Sequence, residues 1–156
     1  MHPIELFPYR NDIRTVLLPY LQQLPESNWF RTHSDHPNSV AWIIQHISDS
    51  EASWLHTAGL HAHLDRDTAA RNHQASPAEL IDRYIRIRLK SDRVLRDLSI
   101  TDLKRLIELP KYSDGWTPPS PPTLRWVFHH IYEHEAYHAG QIGVIARLNG
   151  FAVPLF

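Results

Sequence analysis

The chain has 156 residues, 16 Lys+Arg against 17 Asp+Glu and a formal net charge of −1; this length suits one domain, residues 1–156, around a single core. So even a balance, without long runs of like charge, leaves no footprint for nucleic acid or an anionic membrane, and the lack of cysteine removes disulfides and thiolate metal ligands. No stretch approaches the roughly 18–20 apolar residues of a membrane span, and the first residues lack the pattern of a signal peptide, so a cytoplasmic protein without a membrane partner is expected.

Glycine occurs only 5 times, which favours helices over turn-rich sheets. Apolar spacing predicts four helices. The first covers roughly Tyr9–Leu24, with Ile13, Leu17, Tyr20 and Leu24 on one face; Pro19 should kink it and Pro25 ends it. The second follows Pro37, capped by Asn38 or Ser39, and runs from Val40 to His56. The third opens on Ser76-Pro77-Ala78-Glu79, an N-cap, a first-turn proline and a capping-box glutamate. The last begins near Thr123, after a proline-dense lead-in, and ends at Asn149-Gly150. Residues 99–122 form a long connection with a short helical turn at Thr101–Ile107, and connections of this length are often functional. No strand pattern appears. The expected fold class is all-α: a four-helix bundle with long crossover connections.

Histidine is over-represented, with 12 in the chain. Read at the 3-4 spacing of a bundle seam, the last helix gives Leu124, Val127, Ile131, His134, His138, Gln141, Ile145 and Leu148. Three adjacent polar residues break an apolar stripe, and burying them requires partners. His134 and His138, four residues apart, are separated by about 6 Å along the axis, a spacing that offers two imidazoles to one ion. His130 lies about 12 Å of rise from His138, too far to share that ion. His46 occupies a seam position between Ile43 and Ser50 on the second helix and is the candidate third ligand. Such a site binds one divalent metal ion and leaves a position open for water or substrate. His33, His36, His56, His61, His63 and His73 are read as loop or surface residues, His129 and His130 as packing or supporting residues.

His134-Glu135-Ala-Tyr-His138 also matches the H-E-x-x-H pattern of zinc peptidases. The downstream third ligand of those families is missing, and the seam directs Glu135 away from the centre, so a peptidase is disfavoured. Trp42, Trp54 and Tyr84 are read as core residues. Arg88 and Arg125 are assigned to anionic substrate groups or surface carboxylates, and Gly140 to close helix packing.

The run from Thr123 through His134, His138 and Gly140-Gln141 resembles the C-terminal helix of the DinB superfamily (DinB/YfiT-like metal-binding bundles), and Ser39–Ile47, with Trp42 and His46, is similar to its second helix. The resemblance spans nearly the whole chain. It implies an up-down-down-up bundle and a three-histidine site for zinc or nickel, with His46, His134 and His138 at the ligand positions. His134 stands where the mycothiol-dependent branch has glutamate, nearer the bacillithiol-transferase side. The resemblance further implies a small-molecule substrate, a low-molecular-weight thiol activated for transfer to a small electrophile, and a homodimer. The alternatives are a hydrolase using a metal-bound hydroxide, with Asp49, Glu133 or Glu135 as base, and a non-catalytic metal-binding stress protein.

Overall fold

The computed structural model describes residues 2–60 and 74–156; His61, His63 and His73 lie outside them. The described residues contain five α-helices: α1 (Asp12–Gln23), α2 (Glu26–Trp29), α3 (Val40–Thr57), α4 (Pro77–Asp97) and α5 (Leu124–Asn149). Two isolated backbone bridges are the sole β-type pairings among them. None of these helices is long and apolar enough to cross a membrane.

Local chemistry sets where the long helices start. Ser39 caps α3 by accepting from the Trp42 N–H, and Thr123 caps α5 by accepting from the Trp126 N–H. Ser76 and Glu79 form the reciprocal capping box of α4, a device in which the cap alone is worth about 1 kcal/mol. Gly150 closes α5 in the left-handed region, φ 72°. In contrast, α1 starts three residues later than the apolar spacing predicts, because Tyr9 carbonyl and Phe7 carbonyl are engaged in turns before it. Pro19 lies within α1. The one-turn helix α2 is not marked in the apolar pattern; it follows Pro25 and buries Trp29.

α3 packs against α4 and α5, and α1 completes the bundle against the same two helices. Two apolar cores result. One gathers Leu17, Leu21, Ile43, Ile47, Leu80 and Ile142; the other gathers Leu55, Leu95, Leu124, Val127, Phe128 and Ile131. Between them, each long helix contributes buried polar side chains: Arg14 from α1, Glu51 from α3, Arg88 and Ser91 from α4, and Glu135 from α5. The long connection after α4 holds a single 3-10 turn at Asp102–Lys104 rather than a helical turn through Ile107. It is pinned near its ends, where Ile107 N–H donates to the Pro122 carbonyl and Leu124 N–H to the Arg105 carbonyl (2.9 and 3.0 Å).

Candidate metal centre

The three predicted histidines meet on the α3–α5 face, beside the polar layer. His46 Nε2 lies 3.2 Å from His134 Nε2, and His138 Nε2 lies 3.1 Å from the same atom. One ligand-type nitrogen from each of the three falls within 4.8 Å of the others. Two nitrogens each about 2.0–2.1 Å from a zinc ion stand about 3.3 Å apart at a tetrahedral angle and about 2.9 Å apart at a right angle. The two separations from His134 fall between these values and the third pair lies within 4.8 Å, so the donor set fits a divalent cation. Three ring nitrogens this close also repel through their lone pairs unless a proton or a cation sits among them.

The protonation states favour ligation. Burial, and then the neighbouring His138, His46 and His130, push His134 down to about 4. His46 is lowered by burial and by His138, against the opposing pull of Asp49. Both therefore present neutral rings at pH 7, the form that binds metals. His138 Nδ1–H donates to Gln141 Oε1 at 2.6 Å, which leaves the Nε2 lone pair directed at the cluster. Trp42 stacks on His46, centroids 4.7 Å apart with 12° between the planes.

Several residues stand elsewhere than their pattern predicts. Glu135 is buried at 1% exposure, in the middle of the polar layer. It accepts from Tyr84 Oη at 2.6 Å and from Arg88 Nη2 at 2.9 Å, and pairs with Arg14 Nε at 2.8 Å. These contacts remove it as the base of a peptidase-type site. The buried stripe of α5 is centred closer to Phe128, Glu135 and Ile142 than to His134 and Leu148, so the histidines flank the core rather than occupy its axis. Arg88 likewise meets neither substrate nor surface carboxylates; it pairs inside the bundle with Glu51 and Glu135. Trp42 is 45% exposed, outside the core, whereas Tyr84 is fully buried. Gly140 is exposed with nothing within 4 Å of where a Cβ would stand, so it does not mediate close helix packing. Glu133 is exposed beside His129 at 3.3 Å.

A cleft of about 320 Å³ opens beside His46, lined by Asp49, Ser50, Ser53, Trp54, Thr57 and Tyr112. Asp49 is bound by Arg83 at 2.7 Å. Behind the cleft, Trp54 makes edge contacts with Trp126 and His130 (centroids 5.4 and 4.9 Å), and Trp126 stacks on His130. His130 is thus a packing residue, 6.1 Å ring to ring from His134. The sequence pattern did not pick out Tyr112 or Trp116; their aromatic character in the polar, proline-rich second half of the connection was the available signal.

Comparison with known proteins agrees with the helical fold. Among curated proteins none matches the sequence. The crystal structure of a DinB-like protein from Bacillus cereus ATCC 10987 is similar in fold, with a TM-score of 0.74 over 99% of this chain and 95% of that one at 17% identity. The family model of the DinB superfamily matches residues 11–142, a span that holds all of α1, α3 and α4 and the three histidines His46, His134 and His138. The chain belongs to the DinB superfamily.

Proposed function

We propose that the chain is a metal-dependent enzyme that activates a low-molecular-weight thiol for transfer to a small electrophile, with His46, His134 and His138 holding one zinc or nickel ion. The observation that carries this reading is the convergence of three imidazoles, with His46 and His138 each bringing Nε2 within 3.1–3.2 Å of His134 Nε2, beside a cleft that His46 lines. A divalent ion on three imidazoles supplies the positive charge that keeps a thiol deprotonated near neutral pH. The chain has no cysteine, so the sulfur must come from a diffusible thiol. Gln141 and Trp42 orient two of the imidazoles. The transfer forms a sulfur–carbon bond, breaks the bond from that carbon to its leaving group, and passes the thiol proton to the leaving group or solvent.

The same donor set would serve hydrolysis. A hydroxide on the metal gains rate from a base that takes up the proton of its water, and of the three candidates Glu135 is locked in the bundle, Glu133 faces solvent, and Asp49 is engaged by Arg83. The thiol route requires none of them, which favours it.

Metal analysis of the protein as isolated should give one ion per chain. His46→Ala, His134→Ala and His138→Ala should each lose most of it and with it the conjugation of a cellular thiol to haloalkane or epoxide probes. Full metal content in all three variants, or no conjugation by the loaded protein across thiols and electrophiles, would overturn the proposal.

A further inference from the structure

We propose that the cleft beside His46 binds an uncharged, planar aromatic group of the small-molecule substrate, through a wall contributed by the connection between α4 and α5. The proposal rests on the reading of the three histidines as the reacting centre, and assigns the part of the substrate that lies next to it.

Size sets the first limit. About 320 Å³ lies at the small end of ligand pockets and admits one substituted ring with a short chain. Charge sets the second. No lysine or arginine lines the cleft among the described residues, and its one carboxylate, Asp49, is already bound by Arg83 at 2.7 Å. A carboxylate or phosphate entering here would give up water without gaining a cation from the lining. The hydroxyls of Ser50, Ser53 and Thr57 can serve a neutral polar substituent instead.

Ring geometry sets the third. Trp54 and Tyr112 face the cleft, and both are held from behind by Trp116. The Tyr112 and Trp116 rings meet edge-on at 5.2 Å and 85°, and the Trp54 and Trp116 rings at 6.3 Å and 66°. Trp126 and His130 fix the far side of Trp54. The wall is therefore ordered before any ligand arrives, and a ring entering it pays little to organise its partners. Each well-placed ring contact is worth about two- to tenfold in affinity.

The test is a titration of the full chain, cleared of metal by a chelator, with benzyl alcohol, benzoate and cyclohexylmethanol, read by the tryptophan indole N–H signals. Benzyl alcohol should bind at least tenfold tighter than benzoate and at least twofold tighter than cyclohexylmethanol, shifting Trp54. Tyr112→Ala and Trp116→Ala should each weaken benzyl alcohol at least twofold while their metal stoichiometry as isolated, before chelation, equals that of the unaltered chain. Trp116 is 38% exposed, so its replacement spares the core. Benzoate within tenfold of benzyl alcohol, cyclohexylmethanol within twofold, or both variants binding like the unaltered chain would overturn the proposal. Failure of the metal reading would show instead as no metal in the protein as isolated, before chelation, with ring binding intact, so the two outcomes are separable.

Discussion

Gln141 illustrates how one side chain sets the chemistry of another. Its Oε1 accepts from His138 Nδ1–H at 2.6 Å, which fixes both the tautomer and the plane of the ring. Partners of this kind typically govern ligand affinity by about 10- to 100-fold. Gln141→Leu should therefore weaken zinc binding by about that factor in competition with a chromophoric chelator, without abolishing it, whereas Gln141→Glu keeps the acceptor and should remain within a few-fold of the unaltered chain. Equal affinity for Gln141→Leu would show that the bond does not orient the ligand. The three histidines are legible in the sequence because imidazole conflicts with an apolar stripe, and such conflicts mark sites. Glu135 and Trp42 are not, for a shared reason. Helical spacing locates a stripe only to within about one residue, or 100° of rotation, and a glutamate at the edge of such a stripe reads as solvent-facing. Its partners Arg14, Tyr84 and Arg88 come from other helices, and nothing local announces them.

At the scale of elements, the helices are tied together by the polar layer as well as by apolar packing. Glu51 of α3 accepts from Arg88 Nε of α4 at 2.9 Å and from Arg14 Nη2 of α1 at 3.2 Å, and Ser91 also donates to it. Arg14 and Arg88 reach on to Glu135 of α5. Two guanidiniums and two carboxylates thus balance within the bundle. Removing one carboxylate leaves buried positive charge without its partner, a loss of about 3–5 kcal/mol. Glu51→Ala should show this loss in urea unfolding, and a change under 1 kcal/mol would mean that water enters the layer and the pairing is not structural. The boundaries of α3, α4 and α5 are legible because each has a cap residue that satisfies exposed N–H groups. The one-turn helix α2 is not, since four residues are too few to display a period. The aromatic wall from Tyr112 and Trp116 is also invisible before folding, because the return of residues 105–123 to α5 depends on bonds such as Ile107 N–H to the Pro122 carbonyl.

For the molecule as a whole, composition and period are enough to make it all-helical, but which helices touch is not contained in either. That information enters through the family resemblance and is expressed in the contacts of α3 and α1 with α4 and α5. The resulting arrangement, two apolar cores around a charged layer, makes stability depend on pH. Burial alone would raise the Glu51 carboxyl, but the Arg88 and Arg14 guanidiniums and the hydrogen bonds from Arg88 and Ser91 outweigh it and hold it below its ordinary 4.5. The unfolded chain, with the ordinary value, therefore takes up a proton on this carboxyl at a higher pH than the folded chain does. Its contribution to stability is complete above about pH 4.5 and is lost as the pH falls through the folded value. The lowered His134 and His46 also favour the folded state less as acid protonates the unfolded histidines, over a window beginning near 6.5. These two effects separate in a comparison with Glu51→Gln, which keeps the histidines and cannot titrate at position 51. The stability difference between the unaltered chain and this variant should stay level from pH 7 to about 5 and shrink below about 4.5. A difference that holds constant or grows down to pH 3.5, measured by urea unfolding of the metal-free proteins, would show that the buried arginines do not hold Glu51 ionised.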